Sequence, residues 1–226
     1  MGKEPIRVAQ IVGKVVLSGV DCMVMNYYRH IDRQKVQFDF FMDGEGPSPV
    51  DDEIHALGGR IYKLPPYGNA LRKNLSMFRR ILAENNYSVV HSHMNTLSVF
   101  WLREAKRAGV PVRIAHSHST IGKGEGLRTL FKRLLRPFAN IYPTHYCTCS
   151  NLAAADLFGE KMAQSGRVRL VPNAIDLEQF AYNPTVREQV RRDLHLRASL
   201  VVGHVGRLMY QKNHPSLLDL FACLLQ

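Results

Sequence analysis

Short runs of β-branched and aromatic residues recur along the chain, and almost every one is followed by a longer stretch whose apolar residues return at helical spacing. Strands joined through helices run parallel, because a tight turn connects only antiparallel neighbours. A parallel sheet in turn needs cover on both faces. The alternation therefore predicts an α/β protein built on a Rossmann-like, doubly wound parallel sheet. Strands are expected at residues 6–12 (IRVAQIV), 36–42 (VQFDFFM), 60–64, 88–91, 112–115, 145–149 and 168–171. Helices are expected at 19–31, 51–57, 71–84, 96–108, 127–138 and 152–158, with Gly58-Gly59 and Gly109 as stops.

The texture changes after Pro172. Residues 173–184 read as loop, 185–194 as a charged helix, 200–205 (LVVGHV) as a new strand, 206–214 as a basic loop, and 215–225 as a helix with proline in its first turn. The expected organisation is one domain over 1–172, then a linker and the first βα unit of a second Rossmann-like domain over 173–226. A lone βα unit cannot bury both faces of its strand, so the second domain is expected to be incomplete.

With 226 residues, 46% hydrophobic and 22% charged, the chain has ample material for a globular core. No apolar run approaches the roughly 20 residues of a spanning helix. The first twelve residues carry no signal-peptide pattern, so a cytoplasmic location is expected. Cys22, Cys147, Cys149 and Cys223 form no CxxC pair and are expected to be reduced and mostly buried.

The net charge is +11, and residues 101–140 hold nine Lys/Arg against two Asp/Glu. Such a field attracts phosphates, anionic lipid or nucleic acid. No helix-turn-helix or aromatic RNA motif accompanies it, so nucleic-acid binding is not expected. Within this region residues 127–138 (LRTLFKRLLRPF) place Leu127, Leu130, Phe131, Leu134, Leu135 and Phe138 on one stripe. Arg128, Lys132, Arg133 and Arg136 lie opposite. The pattern suits a core helix with a basic outside, or an interfacial helix on an anionic membrane.

Ligands of open α/β sheets bind beyond the carboxyl ends of the strands. After the first strand, Gly13 and Gly19 bracket a loop that leads into a helix start, where free N–H groups suit an anion. The spacing is neither GxGxxG nor a Walker loop, which argues against a dinucleotide-dependent epimerase or dehydrogenase. The fourth and fifth strands end in His91-Ser92-His93, followed by Asn95, and in His116-Ser117-His118. Imidazoles there can hydrogen-bond sugar hydroxyls or phosphate. No recognised zinc spacing is present, so no metal is expected. In the basic loop, Arg207 and Lys212 follow a strand end and precede a helix, a pairing able to neutralise a diphosphate.

These motifs, in this order, resemble the retaining, nucleotide-sugar-dependent glycosyltransferases of the GT-B fold, family 4, and within them the bacterial capsular and exopolysaccharide enzymes. The resemblance is carried by VDCMVMNYYRHIDRQKVQFDFF, DDEIHALGGRIYKLP, YSVVHSH, VPVRIAHSHST, CSNLAAADLFG, VPNAIDLEQF and GHVGRLMYQKNH. It implies transfer of a hexose-type sugar from a nucleoside diphosphate to a glycan or lipid-linked acceptor, without metal or other cofactor. By the same resemblance His118 lies near the transferred sugar as the catalytic candidate. Gly19, Arg207 and Lys212 hold the donor phosphates, and Asp21, His93, Asn173 and Asp176 belong to the acceptor side or the domain junction.

The chain departs from the family pattern at Ser18 and Ala174, where glycines are usual, and at Asp21, where the acid is usually glutamate. The family's Glu-x7-Glu element is not reached by Gln226. The expectation is thus a truncated enzyme whose isolated chain turns over little, with a non-catalytic binding or regulatory remnant as the alternative. The basic stripe adds an expected peripheral contact with the inner membrane face.

Overall fold

The computed structural model describes residues 4–65, 67–121, 126–198, 200–206, 208 and 212–224. The chain divides into two compact units, Met1–Ile175 and Asp176–Gln226.

In the first unit the strands are β1 (Ile6–Gly13), β2 (Val36–Asp43), β3 (Arg60–Leu64), β4 (Val89–Ser92), β5 (Val112–Ser117), β6 (His145–Thr148) and β7 (Val168–Leu170). They form one seven-stranded sheet in the order β3-β2-β1-β4-β5-β6-β7, parallel throughout. The helices are α1 (Gly19–His30), α2 (Asp51–Ala56), α3 (Tyr67–Glu84), α4 (Ser98–Arg107), α5 (Leu127–Leu135), α6 (Asn151–Phe158) and the short α7 (Glu160–Ala163).

Side-chain alternation along the strands splits the core in two. Phe40 and Met42 pack with Met23, Val24 and Tyr28 of α1 and Ile54 of α2. Phe41, between them, points the other way, into a cluster with Ala9, Val90, Ala115, Phe78 of α3, Trp101 of α4 and Leu157 of α6. Right-handed crossovers explain the split. The order runs one way from β1 to β3 and the other way from β4 to β7, so the connecting helices land on opposite faces. The reversal lies between β1 and β4, the position where doubly wound sheets open a crevice.

The element boundaries follow local chemistry. The Ser150 hydroxyl accepts from Ala153 N at 3.2 Å and starts α6. Gly58, at φ +85°, ends α2 in the left-handed region. Three expectations shift. The expected helix over 127–138 is α-helical only to Leu135 and continues as a 3-10 turn over Arg136–Phe138, because Pro137 removes a backbone donor. The helix expected at 71 begins at Tyr67, so context overrides the weak propensity of Gly68 and Asn69. The cysteines are free, but Cys22 and Cys223 are exposed and Cys147 and Cys149 only partly buried, against the expectation of mostly buried thiols.

The second unit holds a 3-10 turn at Leu177–Phe180, α8 (Pro184–Asp193) and α9 (His214–Leu224). Residues 200–205 are not a strand, contrary to the expectation of a βα unit. A strand is defined by its ladder, and among the described residues none pairs with this segment.

Candidate functional site

The carboxyl edge at the β1/β4 reversal is built from three strand ends. β1 finishes at Gly13, whose φ is +70° and whose absent Cβ would stand 3.0 Å from Met94 Sδ. The left-handed φ is what favours glycine there, since the end of the Met94 side chain could shift to admit a Cβ. The chain then turns through Leu17 at φ 55° into α1. Asp21 organises this turn. Its Oδ2 accepts from Ser18 N at 2.8 Å and Val16 N at 3.1 Å, while Oδ1 is buried with no partner among the described residues.

β4 and β5 pair in parallel register, with His91 opposite Ile114 and Ser92 opposite Ala115. The period of two puts His91, His93, His116 and His118 on one side of the sheet. His116 and His118 stack with ring centroids 4.1 Å apart, and His91 and His93, tilted by 39°, have centroids 4.2 Å apart. They also pair edge to edge across the strands. His93 Nδ1 lies 2.8 Å from His118 Nε2, and His91 Nε2 lies 3.1 Å from His116 Nδ1. His93 Nε2 reaches back 2.9 Å to Gln10 Oε1 in the middle of β1. The backbone of His118 is held on both sides, its N–H by Asn95 Oδ1 at 2.8 Å and its carbonyl by Cys149 Sγ at 3.2 Å.

Burial sets the charge of this cluster. Desolvation, reinforced by the neighbouring rings, lowers the pKa of His91 to about 3 and of His116 to about 2, and drives His93 well below the usual value. His118 falls to about 4 by burial alone. All four are neutral imidazoles near pH 7, so the cluster offers hydrogen-bonding nitrogens and no positive charge.

Two cavities meet at His93. One of about 260 Å³ is lined by His93, Asn95, Thr96, Ser119, Lys132 and Asp156. The other, about 160 Å³, lies between Gln10, Tyr27, Phe38, His91 and His116. Asp156 Oδ2 also accepts from Ile121 N at 2.7 Å and so shapes the larger mouth.

The structure thus brings His93 and His118 together at one edge, with the Gly13–Asp21 turn following the neighbouring strand. It gives the other expected residues different settings. Gly19 has an ordinary φ and open space where a Cβ would stand, so packing does not require glycine there. Asp21 is 3% exposed and spent on its own loop. Asn173 is exposed, and the segment takes no left-handed residue at Ala174. Asp176, in the second unit, caps the 3-10 turn through Glu178 N at 3.1 Å and Gln179 Nε2 at 3.0 Å. Lys212 is exposed in that unit, and Arg207 lies outside the described residues.

Donor atoms of His93, His116 and His118, and of His91, His116 and Cys147, come within 4.8 Å of one another. All four imidazoles are already hydrogen-bonded in pairs, so a metal ion would have to replace the His91–His116 and His93–His118 contacts. Gln10 was not singled out by the motifs, although a lone amide inside IRVAQIV was the available signal. Asp156 and Cys149 reach the site only through the fold.

A Rossmann-like sheet with its site at this edge is the class of domain that forms one half of GT-B glycosyltransferases. The chain belongs to glycosyltransferase family 4: the family description Glycosyltransferase Family 4 matches residues 17–179. It is 37% identical over 233 residues to the glycosyltransferase EpsF of Bacillus subtilis strain 168, covering 98% of this chain and 59% of that protein. It is 23% identical over 225 residues to an Escherichia coli UDP-Gal:alpha-D-GlcNAc-diphosphoundecaprenol alpha-1,3-galactosyltransferase, covering 92% and 55%. Among solved structures, Anabaena HepE in complex with UDP and glucose superposes with a TM-score of 0.74 at 15% identity, covering 96% of this chain and 57% of that one. The chain therefore spans a little over half the length of these relatives.

Proposed function

We propose that this chain supplies the acceptor-binding half of a retaining, nucleotide-sugar-dependent glycosyltransferase that moves a hexose to a glycan or lipid-linked acceptor in polysaccharide biosynthesis. The observation that carries the reading is the neutral His118 at the carboxyl edge of a family 4 chain, its backbone clamped by Asn95 and Cys149 and its neighbours His93 and Ser119 lining a cavity of about 260 Å³. A neutral, oriented imidazole suits a sugar hydroxyl. It is a poor acid at neutral pH, so its part is to orient the sugar and not to protonate the leaving group.

The leaving group would be a nucleoside diphosphate, with Arg207 and Lys212 as the cations that meet it. No metal or other cofactor is assigned. The names of the relatives support the donor and acceptor classes: a UDP-sugar and a diphosphoundecaprenol-linked sugar for the Escherichia coli enzyme, and UDP with glucose for HepE.

A lipid-linked acceptor also gives α5 a role. Leu127 is 84% and Leu134 62% exposed, and the basic Lys132 of the same helix lines the larger cavity. Lying on the inner face of an anionic membrane, α5 would hold the protein peripherally and present the cavity to the lipid carrier. No helix among the described residues is long and apolar enough to cross a membrane.

The test, made on a protein in which this chain is joined to a donor-binding half, is transfer of radiolabelled sugar from UDP-glucose or UDP-galactose to a lipid-diphosphate-linked monosaccharide. Retained anomeric configuration and a loss of about 100-fold or more in kcat/KM for His118→Ala are expected. Inverted product, or undiminished transfer by His118→Ala, would overturn the reading.

A further inference from the structure

We infer that Gln10 and His93 are positioning residues that lock His118 into a single tautomer, with its proton on Nε2 and a bare Nδ1. This makes the strand end a subsite that accepts a hydrogen bond from a neutral hydroxyl and turns away phosphate. The identity of that hydroxyl as a sugar's rests on the proposed function; the tautomer itself does not.

The chain of reasoning starts at one atom. Gln10 Oε1 can only accept a hydrogen bond, so the nitrogen 2.9 Å away, His93 Nε2, must carry a proton. His93 is buried, 5% exposed, and stays neutral near pH 7, so its other nitrogen, Nδ1, is bare. That bare nitrogen lies 2.8 Å from His118 Nε2. Two bare nitrogens at this distance would repel, so His118 Nε2 carries the proton and donates it. His118 is neutral too, and its remaining nitrogen, Nδ1, has no proton and no hydrogen-bond partner among the described residues. A single carbonyl oxygen inside β1 thereby sets the polarity of an atom two rings away at the sheet edge.

Turning the ring would break its hydrogen bond to His93 Nδ1 and its stack on His116, whose centroid lies 4.1 Å away, while Asn95 Oδ1 and Cys149 Sγ fix the backbone that carries it. A bare nitrogen accepts from O–H or N–H donors. A phosphomonoester dianion offers neither, and meets a lone pair where it needs a donor. The sequence-level expectation that these imidazoles serve either sugar hydroxyls or phosphate is thereby narrowed to hydroxyls at His118. The phosphates must be met elsewhere.

The experiment is two-bond nitrogen–proton correlation spectroscopy of the protein labelled with 15N-histidine, at pH 7.5. For the wild type, the His118 Nε2 resonance is expected at the protonated position and Nδ1 at the bare position. Gln10→Leu, which removes the acceptor, is expected to move both resonances toward the average of two tautomers while the backbone amide spectrum stays folded. Excess methyl phosphate, predominantly a dianion without an O–H at this pH, is expected to leave the wild-type Nδ1 resonance in place.

A wild-type His118 protonated on Nδ1 would overturn the inference by itself, whether or not the variant folds. A folded Gln10→Leu protein with an unchanged His118 would overturn the role of Gln10. A phosphate-induced arrival of the proton on Nδ1 would overturn the selectivity. None of these readouts needs sugar transfer, so their outcome is separate from that of the transfer assay, which alone tests the proposed function.

Discussion

Asn26 Nδ2 donates to the carbonyl oxygen of Ala174 at 2.8 Å, joining the middle of α1 to a segment 148 residues further along the chain. One residue on, Tyr27 Oη donates to Pro172 O at 2.9 Å. These two bonds lay the segment that leaves β7 across α1, where Val171 closes the smaller cavity beside His91, His93 and His116. Each bond is partly solvated and contributes about 1 kcal/mol. Asn26→Ala with Tyr27→Phe is therefore expected to leave global stability nearly unchanged while amides in 171–175 exchange about tenfold or more faster. Hydrogen-exchange mass spectrometry reads this directly, and unchanged exchange would show that other contacts hold the segment.

Asp39 is expected to be the most sensitive polar residue of the core. It is fully buried in β2 and accepts from Arg7 Nε at 2.6 Å, Tyr87 Oη at 2.6 Å and Arg60 N at 2.8 Å, tying β1, β3 and the entry to β4 together. Asp39→Ala strands the guanidinium and the phenol without their acceptor, which costs about 3–5 kcal/mol. Tyr87→Phe removes one donor and leaves the carboxylate otherwise satisfied, a loss of about 1–2 kcal/mol. Urea unfolding of the two variants should preserve that order; the reverse order would refute the network's arrangement.

Gly59 is fixed by space and not by backbone angle. An added Cβ would meet Tyr28 Oη at 2.7 Å and both Ile54 Cγ2 and Phe38 O at 2.8 Å. One of these is backbone of β2, so the clash cannot be relieved by a rotamer change. Gly59→Ala is expected to destabilise by about 1–3 kcal/mol, whereas Gly19→Ala, with open space around it, should lie within about 1 kcal/mol of wild type. Paired thermal melts would check the contrast.

Much of this architecture was legible in the chain because it rests on local patterning. The strand at 60–64 and the run in β1 that is buried from Val8 onward are framed by turn residues and by β-branched or aromatic side chains, which read without tertiary information. The two His-x-His strand ends were visible for the same reason. Other features depend on partners distant in sequence. Residues 200–205 have strand composition, yet a ladder needs a neighbour, and composition does not supply one. Asp21 reads as a ligand residue until the turn folds back and its carboxylate is used by Ser18 N and Val16 N. Gln10 gains its meaning only when β1 and β4 lie side by side, 83 residues apart for Gln10 and His93.

The amphipathic α5 should bind anionic vesicles. Its apolar residues Leu127, Leu130 and Leu134 are more than half exposed, and Arg133 lies exposed on the same helix. Leu130→Ser with Leu134→Ser is expected to weaken binding to phosphatidylglycerol vesicles about tenfold or more, and to leave the melting temperature unchanged because the side chains are already in water. The charge component is expected to fade as salt is raised. Equal sedimentation with neutral and anionic vesicles would remove the electrostatic part of the proposal.

The buried histidines give the fold a defined response to acid. In the unfolded chain a histidine takes up its proton near pH 6.5, whereas in the fold His118 does so only at about 4 and His91 only at about 3. Above pH 6.5 neither state is protonated and these groups leave stability unchanged. Between that value and the folded values the unfolded state binds more protons, so stability falls as pH falls, by about 1.4 kcal/mol per pH unit for each such histidine. Carboxylates held by cations, such as Glu53 beside Arg29, have lowered values and begin to lose their contribution only as pH falls below 4.5, so the decline between 6.5 and 5.0 does not come from them. Urea unfolding is expected to give equal stability at pH 7.5 and 8.0 and a steep decline from 6.5 to 5.0. His91→Phe, which replaces one buried imidazole, should flatten that decline by one histidine's share. A stability that stays level down to pH 5 would mean that the cluster opens to water and titrates normally in the folded protein.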